Sequence, residues 1–272
     1  MIILGITHPI SWSTGACLLV DGRLIAMVEE ERLNRIKFSP RMFPQGAIDF
    51  CLKKGEITLN EVDFVAVGFD RVLKTVLPNF TGQPLYYGIL AAGYMALHTT
   101  SNLRKIPLEI KKKKPVFINH HVSHANSAFY CSDFEESNII SLDGTGGDNA
   151  GLIGYAKDTQ LEIFHTISNS DSWGNMYAQI TRLLGFKPHQ DEYKVMGLAS
   201  YGTADPKGLP FIDWDRPIPT IDRTKYRKYR RWLKEIIDTG DPMNQTSQDI
   251  AATAQETLER VALRMLEWLR KK

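Results

Sequence analysis

The chain of 272 residues carries 33 Lys and Arg against 31 Asp and Glu, a net charge of +2, with 43% hydrophobic and 24% charged residues. This mixture excludes a disordered chain and supplies a core for one large domain or two small ones. Near-neutrality argues against a general binder of nucleic acid or anionic membranes, and three widely spaced cysteines (Cys17, Cys51, Cys131) without a Cys-x-x-Cys pair argue against a disulfide framework and fit a reducing, cytoplasmic compartment.

The apolar opening at residues 1–6 has no basic leader and runs into polar residues, so it is predicted to be a buried strand rather than a secretion signal. Residues 2–7, Gly15–Val20 and Arg23–Glu29 are β-rich, and Asp21-Gly22 between the last two is a hairpin signal, because both turn residues tolerate positive φ. A three-strand meander is expected. A helix is predicted near Gln45–Lys54, with Ala47, Ile48 and Cys51 or Leu52 on one face and Gly55 at its end, followed by a buried strand over 63–69. Residues 71–114 are aromatic-rich, end in four lysines and are expected to form an inserted helical lobe. Its most apolar stretch, 85–97, falls short of the ~20 residues that span a bilayer and is expected to be a buried helix.

The β pattern then restarts. A short strand is predicted over 115–119, a helix over 120–131, a strand over 137–143 and a Gly-rich turn over 144–149. A hairpin follows through 151–155 and 161–166, and a long amphipathic helix over 246–269, with Ala251, Ala254, Leu258, Val261, Met265 and Leu269 at helical spacing. Two similar units suggest a duplicated α/β architecture, divided into 1–136 and 137–272.

Five segments are candidates for chemistry or binding. On a helix, His120 and His124 project from one face, a spacing that lets two imidazoles grip one metal ion at ~2 Å bonds, with further ligands from elsewhere. In a chain with seven histidines the same spacing also arises by chance, and His121 points elsewhere and reads as structural. A buried strand that ends at Asp143 and opens into Gly144, Thr145, Gly146 and Gly147 could present backbone N–H groups to phosphate oxygens, with Asp143 holding a divalent cation or its water; an ordinary hairpin turn is the alternative. Unaided, Lys37 with the preceding Glu29-Glu30-Glu31-Arg32 reads as surface charge, and the run from Asp191 to Ala199, with Lys194 and Gly197, reads as a helix start. The basic-aromatic stretch 223–232 raises a nucleic-acid interface, but an exposed helix face is preferred because Glu235 and Asp238 follow in a nearly neutral chain.

Together, Leu18-Leu19-Val20-Asp21-Gly22, Glu29-Glu30-Glu31-Arg32 with Lys37, and Ala47-Ile48 with Cys51-Leu52 resemble the NodU-type carbamoyltransferases. So do His120-His121-x-x-His124-Ala125 with Ser127-Ala128-Phe129, Leu142-Asp143-Gly144-x-Gly146, and Lys194-Val195-Met196-Gly197-Leu198-Ala199-x-Tyr201-Gly202, all in the family's order. The resemblance implies an actin/Hsp70/sugar-kinase-type, ribonuclease H-like duplicated α/β fold. It implies an ATP-dependent O-carbamoyltransferase that moves a carbamoyl group from carbamoyl phosphate, through carbamoyl adenylate, to a hydroxyl-bearing small-molecule acceptor. It further implies His120 and His124 as ligands of a divalent metal, iron being the first candidate, beside ATP/Mg. Asp143, Gly144, Thr145, Gly146 and Gly147 would lie at the phosphates, Lys194 and Gly197 would line the nucleotide site, and Lys37 and Asp191 would face the carbamoyl group or the acceptor. Many members carry a His-Asp pair where this chain has Trp12-Ser13, which leaves His8 or Asp191 as the available base, or a different acceptor. The adenosine loop, a third metal ligand and a YrdC-like domain are expected beyond Lys272. The chain is therefore expected to be part of a longer enzyme or one subunit of a split one, inactive alone, with a non-catalytic nucleotide- and metal-binding scaffold as the alternative.

Overall fold

The computed structural model of the protein describes residues 1–9, 11–69, 106–147, 149–237, 241 and 243–272. It divides into two compact units, Met1–His124 and Ala125–Lys272. The division falls within a helix, whereas sequence patterning places it after residue 136. The expected lobe over 71–114, with its apolar helix at 85–97, lies outside the described residues except for 106–114. No helix among the described residues is long and apolar enough to cross a membrane.

The first unit is built on a five-stranded sheet of order β3-β2-β1-β4-β5, with β1 Ile2–Ile6, β2 Gly15–Val20, β3 Arg23–Glu29, β4 Phe64–Val67 and β5 Val116–Phe117. β1, β2 and β3 form the expected antiparallel meander, while β4 runs parallel to β1, and β5 to β4. At the hairpin, Asp21 and Gly22 take φ of 49° and 79°, the left-handed pair that such a turn requires. This mixed order is that of a ribonuclease H-like unit.

Helix α1 (Glu30–Asn34) leads towards α2 (Gln45–Lys54), whose Ala47, Ile48 and Cys51 are buried one turn apart with Leu4 and Leu18 in one core cluster. Gly55 ends α2 with an ordinary φ of −81°, and Glu56 takes the left-handed conformation instead, at φ 53°. A short helix, α3 (Leu108–Lys112), precedes β5; the neighbouring Lys113 Nζ donates to the carbonyls of Asn60 and Val62 at 2.8 and 2.7 Å, so part of the lysine run is tied into the unit.

Helix α4 (His120–Tyr130) carries the chain across the division. The second unit opens with another antiparallel meander, β6 Glu136–Leu142, β7 Asn149–Lys157 and β8 Gln160–Ser168. Its core gathers Ile153 and Ile167 with residues of α5 (Trp173–Leu183), α6 (Glu192–Ala199), α7 (Arg223–Ile236) and α8 (Gln245–Leu269). Ala251, Ala254, Val261, Met265 and Leu269 of α8 are buried at the predicted spacing.

Candidate functional site

In the first unit, the carboxyl ends of the parallel strands carry the polar groups, the usual place for a site in such sheets. β1 leads to His8, β4 to Gly68 and Phe69, and β5 to Asn119 and His120. Asn119 Oδ1 accepts from the N–H of His121 and Val122 at 3.0 and 3.1 Å, capping α4 and fixing where its first turn begins. That cap brings His120 and His124 together. Their Nε2 atoms are 3.0 Å apart and their rings are perpendicular, with centroids at 4.5 Å. His120 Nδ1 faces the Gly68 carbonyl at 3.3 Å, a contact that places the ring's proton on Nδ1 and its lone pair on Nε2.

This pair fits a metal. Two bonds of about 2.05 Å at a right angle separate nitrogens by about 2.9 Å, and at a tetrahedral angle by about 3.3 Å, so the observed separation matches neighbouring positions of one ion. His121 is fully buried. His8 is 1% exposed, its ring 5.5 Å from Phe69, which in turn lies 5.3 Å from His120. Burial holds the His8 imidazole down to about 4, so it is a weak base enclosed in protein.

Lys37 lies on a tightly held loop of the same unit. Arg35, Phe38, Ser39 and Arg41 all have positive φ, at 63°, 62°, 44° and 58°, an unfavourable conformation for residues with a side chain. Local bonds hold it. Asn34 Oδ1 accepts from Ile36 N–H and Ser39 Oγ, and the Glu31 carboxylate accepts from Phe38 N–H. Thr14 N–H donates to the Phe38 carbonyl and its hydroxyl to the Ser39 carbonyl, and Arg41 N–H donates to the Ser11 carbonyl. The segment with Trp12-Ser13 is thereby laced to the segment with Lys37, and the Arg41 guanidinium lies 5.4 Å from the Trp12 ring centre. Glu30 is buried, and its carboxylate accepts from Gly46 and Ala47 N–H at the start of α2. The acidic motif that reads as surface charge is therefore partly structural.

In the second unit, the turn after β6 is held chiefly by residues downstream of β8. Ser172 Oγ donates to the carbonyls of Asp143 and Gly144, Asn175 Nδ2 to Gly144, and Asn169 Nδ2 to Gly147. Thr145 Oγ1 donates to Asn169 Oδ1 at 2.9 Å. A Cβ on Gly174 would stand 2.7 Å from Asp143 C and Gly144 N, so only glycine lets α5 approach this closely. Gly144 N–H bonds the Asp143 carboxylate and Gly146 N–H the Asn149 carbonyl, so these two donors are engaged within the turn. Asp191 and Lys194 are joined by an ion pair of 3.0 Å at the start of α6, and Lys187 N–H donates to Asp191 Oδ2. The space around Gly197 is open.

A family model described as Carbamoyltransferase N-terminus matches residues 2–272. The chain belongs to this carbamoyltransferase family. It is 34% identical over 269 residues to the nodulation protein NolNO of Sinorhizobium fredii, covering 93% of this chain and 38% of that protein. Similarity to the uncharacterized protein MJ1051 of Methanocaldococcus jannaschii is 30% over 270 residues, covering 97% and 47%. The chain thus spans less than half the length of these relatives. Among solved structures, component A of the (R)-2-hydroxyglutaryl-CoA dehydratase of Acidaminococcus fermentans aligns with all of this chain and 78% of its own at 11% identity, with a TM-score of 0.46.

Within this carbamoyltransferase domain, sequence reasoning missed Asn169, Ser172, Gly174, Asn175 and the cap made by Glu30. One local signal was present: Ser172 ahead of the amphipathic α5, where its hydroxyl accepts from Asn175 N–H as an N-cap. Its bonds to the turn after β6 have no local signature.

Proposed function

We propose that this chain is the amino-terminal portion of an ATP-dependent O-carbamoyltransferase, with His120 and His124 holding a divalent metal and the turn from Asp143 to Gly147 serving nucleotide phosphate. The observation that carries the reading is the 3.0 Å approach of the two Nε2 atoms, with His120 oriented through the Gly68 carbonyl. Two imidazole nitrogens suit iron or zinc, with further ligands from elsewhere. When bound, such an ion supplies positive charge that neutralises phosphate oxygens.

The chain's own residues divide the remaining work. In the transfer step the acceptor oxygen attacks the carbamoyl carbon of carbamoyl adenylate, the bond from that carbon to the phosphate oxygen breaks, AMP leaves, and the acceptor proton passes to a base. His8, enclosed in the protein, is closed off from an acceptor. Asp191 is the better placed candidate: its side chain reaches solvent and is oriented by Lys194 and by Lys187 N–H. Lys37, on its laced loop, supplies a cation for the carbamoyl donor. The second half of the reaction site is supplied by a carboxy-terminal region of the kind that makes carbamoyl adenylate from carbamoyl phosphate and ATP.

Titration with Fe(II) or Zn(II) tests this reading. One equivalent is expected to bind, and His120→Ala or His124→Ala should weaken binding by more than about a hundredfold. Unchanged affinity in both variants would sink it. Replacement of the family's His-Asp pair by Trp12-Ser13 favours a second reading, a scaffold that binds metal and nucleotide without turnover. Reconstitution with a carboxy-terminal polypeptide of the family decides between them: carbamoylation of a hydroxyl compound supports the enzyme, and binding without it supports the scaffold.

A further inference from the structure

Helix α7 holds seven of the chain's 33 Lys and Arg but one of its 31 acidic residues, Glu235, so the rest of the chain is net acidic. The helix is anchored by buried Tyr226 and Leu233, with the rings of Tyr226 and Tyr229 at 4.9 and 5.3 Å from that of Phe211. Asp222 caps it, accepting from Thr224 and Lys225 N–H. Beside the anchored face, Arg227, Arg230, Arg231 and Lys234 recur at i, i+3, i+4 and i+7 and line one open groove of about 210 Å³. They span about 10 Å along the axis.

Like charges at these spacings repel one another. The stripe is therefore electrostatically unfavourable by itself. Among the described residues none of the four makes an ion pair; the pair that the helix does make, Lys225 with Asp222 at 3.9 Å, lies off the stripe. Arg227 Nε donates to the Arg223 carbonyl, which steers its side chain along the helix. Arg230 lies 5.8 Å from the Tyr226 ring centre, and its buried Nε has no hydrogen-bond partner among the described residues. A buried donor of this kind calls for an acceptor.

We infer that this groove binds an oligophosphate, an anion carrying two or more linked phosphate groups. Guanidinium forks match phosphate oxygens, and a single phosphate would not reach cations spread over about 10 Å. The lining residues are all cationic, with no aromatic platform for a base and no apolar wall for a lipid chain. Trp232 sits off the stripe with its ring 5.3 Å from that of Tyr229. These features favour a small polyanion over nucleic acid or membrane. The four lining residues are none of the metal and phosphate residues proposed above, and the inference stands whether or not that reading holds.

Calorimetric titration of the full chain with inorganic tripolyphosphate tests it. Arg227→Ala with Arg231→Ala is expected to weaken binding by at least about tenfold, and the same two positions changed to Lys by less. Lys225→Ala with Lys228→Ala removes equal charge off the groove and should change affinity by less than about twofold. Asp143→Ala should leave this binding intact. The inference is overturned by absence of binding, by equal weakening in both alanine pairs, by loss in Asp143→Ala instead, or by a single-stranded oligonucleotide binding more tightly to the same four side chains.

Discussion

The two meanders of the molecule solve one problem with different chemistry. Each feeds a loop that carries candidate site residues, and each loop is held by side chains of a neighbouring element rather than by its own ladder. In the first unit carboxylates join the neutral bonds of Asn34 and Thr14: Glu31 accepts from the loop of Lys37 with its four positive-φ residues, and Glu30 holds the start of α2. In the second the side chains that reach the turn from downstream are all neutral: the Ser172 hydroxyl and the amides of Asn169 and Asn175 around Asp143 and Gly144. Charge-assisted bonds are stronger but cost more when a partner is removed, while neutral bonds rely on close backbone approach.

The largest expected effect sharpens that contrast through pH. His8 is held down to about 4 in the folded protein against an ordinary value near 6.5, so between these values the unfolded chain takes up a proton that the folded one refuses. Stability contributed by the neutral ring is present above about pH 6.5 and is lost as pH falls towards 4, on the order of 3 kcal/mol in total. Urea unfolding from pH 7 to 5.5, above the ordinary carboxylate values near 4, should show this slope, and His8→Phe should remove most of it. Burial also holds His165 in the second unit below its ordinary value, so a slope of the same sign remains. A slope unchanged in His8→Phe would show that the pH response does not arise at His8.

Next in size is Gly174→Ala. Its new Cβ would collide with backbone of the turn after β6, and a loss of about 2–3 kcal/mol is expected on thermal or urea unfolding. A neutral result would mean that α5 can withdraw from the turn without penalty. The smallest effect compares the staples directly. Glu30→Ala leaves two N–H groups of α2 without their carboxylate and should cost about 2 kcal/mol, against about 1 kcal/mol for the neutral cap in Ser172→Ala. The reverse order would break the proposed distinction between charged and neutral staples.

Much of the fold was legible because its signals are local. Asp21-Gly22 specifies a left-handed turn, Ala47, Ile48 and Cys51 mark the buried stripe of α2, and Ala251 to Leu269 mark that of α8. The candidate metal pair was legible for the same reason, since residues four apart on a helix share a face. The role of Glu30 was not. A glutamate in a run of charges looks solvated until the start of α2, sixteen residues on, presents N–H groups to it.

From the amino-acid order alone came the meanders, the helices whose apolar spacing is regular, the His120–His124 juxtaposition and the family likeness. Those properties depend on dihedral preference and on neighbours within one or two helical turns. Tertiary structure alone decided that Ser172 and Asn175 hold the turn at Gly144, that His8 is enclosed and neutral, and that four cations of α7 share one groove. Each of these depends on which groups folding desolvates and on backbone brought together from distant positions, and neither quantity is carried by a local pattern.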